Sequence, residues 1–355
     1  MNLLFGGTLA SRCELKEEIW FKSNKIMNKY LLFVMFALAA FTVQAQKPEL
    51  RYNASGKFKI VQFTDVHSMY GDPKSDIAYD RINQVIDVEK PDLVIFTGDV
   101  IFSPPALPNL KKVLKLVNDK KVPFAMVFGN HDAEQKTSRD SLLMAEKSFS
   151  YCLSTDEQPE ITGVGNYALS VLSRSGKVAN VLWCLDSNDY SKIDSVDGYG
   201  YIHRDQIEWY VHRSLGFTKA NNGTPLPSLA FFHIPLPEYA EALATLTTQV
   251  YGIRREIPCN SQLNSGMFTA MKECGDVMGV FVGHDHNNDF MLQWKGIALA
   301  YGRFSGGENI YCDIPNGARV IELTEGSRSF HSWIRTAAGT EQDLIYPDCF
   351  WKAKD

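Results

Sequence analysis

Five short apolar runs, each stopping abruptly in a cluster of Asp, Asn, His and Gly, constrain this chain more than any other feature. Residues 58–63 run into TDVH, 93–96 into TGDV, 124–128 into GNHD, 229–232 into HIP and 277–282 into GHDH. Continuous apolar runs of this length, rich in β-branched and aromatic side chains, suit strands buried on both faces. Between the first three lie helical patterns. Residues 77–89 place Ala78, Ile82, Val85 and Ile86 on one stripe with Pro91 just beyond, and 110–118 repeat the pattern with Val113, Leu114 and Val117. A third helix is expected over 204–215, carrying Ile207, Tyr210 and Val211. Strand, helix and strand in succession predict α/β units. The segments 167–172, 181–185, 289–294, 297–301 and 319–323 read as strands joined by short turns, which would complete a second sheet in a layered α/β/β sandwich. Ligands in open α/β sheets bind beyond the carboxyl ends of the strands. The five clusters, spread from Asp65 to His286, are therefore expected to converge on one site, which favours a single domain over residues 46–355.

The start of the chain reads differently. Residues 27–46, MNKYLLFVMFALAAFTVQAQ, join a lysine-bearing start, an apolar run over 31–43 and small positions at Val43 and Ala45. This is the layout of a secretory signal peptide with cleavage after Ala45. The run is shorter than the roughly 20 apolar residues that span a bilayer. Residues 1–26 carry Glu17, Glu18, Lys22 and Lys25, which do not suit a signal n-region, so Met27 is the expected start and residues 1–45 form an N-terminal extension and signal peptide. The mature protein is then periplasmic or secreted, with no stable membrane span. Seven cysteines become six once Cys13 is gone: Cys152, Cys184, Cys259, Cys274, Cys312 and Cys349. These allow up to three disulfides or free buried thiols, and the absence of CxxC argues against a thiolate zinc site.

The 355 residues together are 45% hydrophobic and 22% charged, close to the globular average, which argues against disorder, collagen or a coiled coil. A net charge of −5 implies no broad basic face and no dedicated nucleic-acid binding.

Taken singly, each polar cluster has an ordinary reading. Asp65-Val66-His67 suits a surface turn, Gly98-Asp99 a turn dipeptide, and His233, after two phenylalanines, a satisfied core histidine. His131 in Gly129-Asn130-His131-Asp132 has no turn role, and His284 and His286 stand two residues apart, on one side if the segment is extended. Together the clusters hold five of the eight histidines, with Asp65, Asp99 and Asn130. Imidazole, carboxylate and amide oxygen without thiolate form a ligand set for Zn, Mn, Fe or Ni. So many ligands exceed the needs of one ion, which implies two.

The ordered blocks DVH, GDV, GNHD, FHIP and GHDH resemble the signature of the calcineurin-like metallophosphoesterases, over residues 57–335. The stretch GYGYIHRDQIEWY, residues 198–210, further resembles a branch related to purple acid phosphatases. The resemblance implies a four-layer α/β/β/α sandwich of two mixed sheets flanked by helices. Asp65, His67 and His286 would hold one ion, Asn130, His233 and His284 the other, and Asp99 would bridge both. A carboxylate is well suited to that role, since its two oxygens can serve cations roughly 3.5–4 Å apart. His131 would face the substrate as a non-ligand acid, with Asp132 as the residue that orients it or raises its pKa. Purple acid phosphatases carry a tyrosine three residues after the bridging aspartate, where this chain has Phe102, so no charge-transfer colour is expected and a divalent pair is admissible alongside a trivalent ion.

The expected activity is hydrolysis of small phosphomonoesters by a hydroxide formed between the two ions, with His131 protonating the leaving oxygen. The alternatives are a phosphodiesterase acting on cyclic nucleotides, nucleic acid or phospholipid head groups, and a non-catalytic metal-binding domain. Two further features stay open. The tyrosine-rich segment 186–201 is either a lid or pocket wall or a solvated loop, and Arg303 either reaches a substrate phosphate or is a plain surface arginine.

Overall fold

The computed structural model describes residues 47–350 and, before them, Trp20, Lys22, Lys25, Met27 and Lys29 in helical conformation. The chain divides into two units, Met1–Gln46 and Lys47–Asp355, and the second holds every element below. The signal-peptide segment 31–45 lies outside the described residues. Among the described residues no helix is long and apolar enough to cross a membrane.

The first sheet is built from β1 (Lys57–Phe63), β2 (Leu93–Thr97) and β3 (Phe124–Val127), paired in parallel, with β11 (Gly317–Thr324), β12 (Phe330–Thr336) and β13 (Gly339–Tyr346) added antiparallel on the β1 side. The second runs in the order β4 (Tyr167–Leu172), β5 (Val178–Cys184), β6 (Ser228–Phe231), β8 (Val277–Val282), β10 (Ile297–Tyr301), β9 (Met291–Trp294) and β7 (Val250–Tyr251). In it β5, β6, β8 and β10 are parallel neighbours. Both sheets are therefore mixed.

Side-chain alternation explains the layering. Phe58 and Ile60 of β1 and Leu93 and Ile95 of β2 point between the sheets, where they meet Leu182, Leu229, Phe231, Met278 and Phe281. The alternate residues Val61, Phe63, Val94 and Phe96 face the opposite way, onto the helices α1 (Lys74–Glu89), α2 (Ala106–Asp119) and α3 (Arg139–Lys147). On the far side α4 (Arg204–Ala220), α5 (Pro237–Ala244) and α6 (Met267–Cys274) cover the second sheet through Tyr210, Tyr239 and Met271. A strand buried on both faces reads as a near-continuous apolar run, and β2, LVIFT, is buried at every position and apolar up to its closing Thr97. The result is four layers, α/β/β/α.

The stripes expected for α1 and α2 are the buried ones. The stripe of α4 is turned from the expected one. Trp209 and Tyr210 form its inner face because both rings pack edge-on against Trp183 of β5, at 6.0 and 5.0 Å between centroids, and leave Ile207 and Val211 at its margin. Strands β12 and β13 were not expected. β13, GTEQDLIY, is an edge strand with mixed exposure and so lacks an apolar run. Among the described residues the six cysteines are free thiols.

Candidate metal centre

Each expected ligand lies just beyond a strand end: Asp65 and His67 after β1, Asp99 after β2, Asn130 after β3, His233 after β6, and His284 and His286 after β8. The backbone at these ends is bent sharply. Asp65, His67, Asp99 and His284 all take positive φ, at 53°, 46°, 50° and 82°. Non-glycine residues in this region store strain that the surrounding structure must hold, and such strain gathers at functional sites. The loops also approach too closely for side chains at two neighbouring glycines. A Cβ on Gly129 would collide with the Asp99 carboxylate, and one on Gly283 with the Thr64 hydroxyl.

The side chains form two buried groups, Asp65 with His67 and His286, and Asp99 with His233 and His284, the donor atoms of each lying within 4.8 Å of one another. The groups adjoin through Asp99, whose Oδ2 is 3.1 Å from His233 Nε2 and 3.8 Å from His67 Nε2. Its other oxygen accepts the His131 backbone N–H at 2.8 Å. Asp65 Oδ1 lies 3.7 Å from His286 Nε2 and 3.9 Å from His67 Nε2, while Oδ2 accepts from the Thr64 hydroxyl at 2.7 Å. His284 and His286 do not share one side of an extended segment. His284 is left-handed and Asp285 N–H turns back onto Gly283 O, so the two rings enter different groups.

The donor set fits a cation. His67 Nε2 and His286 Nε2 stand 3.0 Å apart, and His284 Nδ1 is 3.3 Å from His233 Nε2. His286 Nδ1 donates to Tyr311 O at 2.9 Å and His233 Nδ1 to Thr97 O at 2.8 Å, which leaves each Nε2 as a lone pair when the ring is neutral. Asn130 Oδ1 is buried without a hydrogen-bond partner. Lone pairs converging on two buried carboxylates are the arrangement that one or two bound cations would satisfy.

The charges respond accordingly. Burial pushes His67 and His284 well below the usual imidazole range, toward the neutral form that ligates. At His233 burial acts downward too, but Asp99 outweighs it and lifts the ring to about 9. Burial raises Asp65, whereas at Asp99 it is outweighed by His233 and then His67, which hold that carboxyl well below its usual range. The proton on His233 thus does the neutralising work that a metal would take over, with its release on binding.

Asp132 does not orient His131. Its fully buried carboxylate accepts the backbone N–H groups of Asp99, Val100, Ile101 and Gly129 at 2.8–3.1 Å, tying the loops after β2 and β3 together. Burial, with Asp99 nearby, pushes it up to about 6. The carboxylate beside His131 is Glu134, whose Oε2 lies 2.6 Å from His131 Nδ1. Nothing in the sequence motif marked Glu134, one turn further along a short 3-10 helix. Phe102 stands edge-on to both His67 and His131, at 5.0 Å from each ring.

Of the open features, segment 186–201 proves to be a wall of the site. Tyr199 packs edge-on against His284 at 4.2 Å and stacks on Tyr190. Across the centre Tyr311 stacks on His286 at 4.5 Å. Arg303 is neither at the site nor on the surface. It is fully buried and paired to Asp289 and Glu341.

The calcineurin-like phosphoesterase family matches residues 58–288. A probable inactive purple acid phosphatase 29 of Arabidopsis thaliana is 34% identical over 77% of this chain and 79% of its own length. Phosphatase DCR2 of Saccharomyces cerevisiae is 32% identical over 81% of this chain and 55% of its own. Among solved structures, a dimetal phosphatase from Danio rerio superposes with a TM-score of 0.56 at 14% identity, covering 81% of this chain and 98% of that one, a likeness of fold alone. Fold, ordered motifs and sequence relatives agree: the chain belongs to the calcineurin-like phosphoesterase family.

Proposed function

We propose that the protein is an exported phosphoesterase that hydrolyses small phosphomonoesters at a pair of transition-metal ions. Asp65, His67 and His286 would hold one ion, Asn130, His233 and His284 the other, and Asp99 would serve both. The observation that carries this reading is the single Asp99 oxygen facing both His233 and His67 from the middle of two buried ligand groups. Export is supported by the signal-peptide layout of residues 27–45. Bound there, the ions supply an acidified water and neutralise phosphoryl oxygens.

The chain's own residues do the rest. The carbonyls of Thr97 and Tyr311 fix the rings of His233 and His286, and Asp132 fixes the loops that carry Asp99 and Asn130. His131 stands at the edge of the centre, its ring 5.5 Å from that of His67, and its Nε2 has no partner among the described residues. From there it would give a proton to the leaving oxygen. Some relatives are named as probable inactive purple acid phosphatases; against that reading, every expected ligand position in this chain carries a residue type able to bind metal, six of them gathered in the two buried groups and Asn130 with a buried, unpartnered Oδ1.

Parallel assays with p-nitrophenyl phosphate and bis(p-nitrophenyl) phosphate, after addition of Mn, Zn or Fe, test the proposal. Preference for the monoester supports it. Preference for the diester makes the protein a phosphodiesterase, and no hydrolysis of either by fully metallated protein makes the domain non-catalytic.

A further inference from the structure

The geometry points to Glu134 and Tyr190 as positioning residues for His131, so that the segment 186–201 is part of the catalytic apparatus as well as its wall. The inference rests on the phosphoesterase reading above. Glu134 uses both oxygens. Oε2 meets His131 Nδ1 at 2.6 Å, and Oε1 accepts the Tyr190 hydroxyl at 2.7 Å. An ionised carboxylate only accepts, so Nδ1 carries the hydrogen of that bond. The same tyrosine oxygen accepts from Asn130 Nδ2 at 3.3 Å, which leaves Asn130 Oδ1 free for the centre. One phenol hydroxyl therefore links the amide of an expected ligand to the carboxylate that holds the acid.

Tyr190 is itself held. Its ring stacks on Tyr199 at 5.7 Å, and Tyr199 abuts His284. The segment is closed by Ser191 N–H to Gly198 O at 2.9 Å and by Asn188 Nδ2 to Tyr201 O at 2.8 Å. A half-exposed imidazole beside a metal centre has rotational freedom unless something fixes it, and a proton donor acts only when its ring points at the leaving atom. Nδ1 is spoken for, and Nε2 is left for the substrate.

In the step this serves, the oxygen of water bonds to phosphorus and the bond from phosphorus to the alcohol oxygen breaks, its electron pair staying on that oxygen. The Nε2 proton of His131 passes to the leaving oxygen, and a proton of the attacking water restores it. Alcohol and inorganic phosphate result. Proton donation matters most for leaving oxygens of high basicity, such as alkyl alcohols, and least for 4-nitrophenol.

The test compares an alkyl phosphate with p-nitrophenyl phosphate in Glu134→Gln, Tyr190→Phe, His131→Ala and the Glu134→Gln/His131→Ala double variant, with metal content measured in each. Glu134→Gln is expected to lower kcat for the alkyl ester by about 10- to 100-fold, the scale of losing a partner that orients an active group, and for the aryl ester by clearly less. Tyr190→Phe, which removes one hydroxyl from an exposed loop, should show the same bias at about 3- to 10-fold, within the range of one typical net hydrogen bond. The double variant should fall no lower than His131→Ala alone, since residues acting as a unit are not additive. Equal losses on both esters, additive losses in the double variant, or metal loss in Tyr190→Phe would overturn the inference. Absence of all hydrolysis by metallated wild-type protein would instead overturn the function on which it rests.

Discussion

Two of the clusters of buried charge among the described residues differ in how they are satisfied. In one, Asp289 accepts from Ile253 N–H at 2.6 Å and Gln342 Nε2 at 2.7 Å through Oδ1, and from Arg303 Nε at 2.6 Å through Oδ2. Arg303 also binds Pro315 O and Glu341, and Arg319 binds Tyr301 O, Ser332 Oγ and Asp289 O. Every charge in it has an answering group within the protein. In the other, Asp65 and Asp99 face four imidazoles, ring nitrogens approach to 3.0 and 3.3 Å, Asn130 Oδ1 is unpartnered, and among the described residues no lysine or arginine side chain contacts the two carboxylates. Buried ions cost several kcal/mol each unless paired. A cluster that closes on itself holds the fold, and one that does not is built to be completed from outside.

Substitutions can break this contrast. The largest effect is expected from Asp99→Ala, which removes the oxygen shared by both groups. Elemental analysis should find less than one ion per chain, with activity down by more than about 10²-fold, the cost of even an indirect change at a metal site. Retention of both ions would end the bridging role. His131→Ala should keep both ions and lose about 10²- to 10⁴-fold in kcat, and a fall in metal content would make His131 a ligand.

Asp289→Ala addresses the closed cluster. It takes from Arg303 its buried carboxylate partner, leaving the half-exposed Glu341, and removes the buried negative charge that acts on Arg319, and should cost about 3–5 kcal/mol in denaturant unfolding. Its folded fraction should still bind two ions, and loss of metal without loss of stability would show that the two clusters are one.

The smallest effect sharpens the distinction at a third buried charge. Glu146 on α3 is fully buried with both carboxylate oxygens unpartnered, and burial pushes it up to about 8. A carboxyl raised above its unfolded value of about 4.3 holds its proton longer in the folded state, so its contribution to stability falls as pH rises from about 4 to about 8 and is constant above. Glu146→Gln should therefore gain stability relative to the wild type over that window. A difference between the two that does not change with pH would contradict this.

Much of this was legible in the sequence because strand ends and buried stripes leave direct marks. The five apolar runs became β1, β2, β3, β6 and β8, and the histidines and carboxylates that follow them are the ones that meet. What the sequence hid depends on tertiary contact. Asp132 sits next to His131 in the chain, yet its carboxylate is drawn into four backbone N–H groups, and Glu134 reaches the imidazole instead. Arg303 follows a strand end as the ligands do, but its partners Asp289 and Glu341 come from elsewhere in the chain and close it off from the site. Tyr190 and Tyr199 are polar enough to suit a solvated loop, and only the fold lays them against Glu134 and His284.

Whether the open cluster is a two-metal centre is read from elemental analysis of the purified, folded protein after incubation with Mn, Zn or Fe and removal of free ions. A two-metal centre should hold close to two transition-metal ions per chain. A folded chain that retains fewer than one would contradict it.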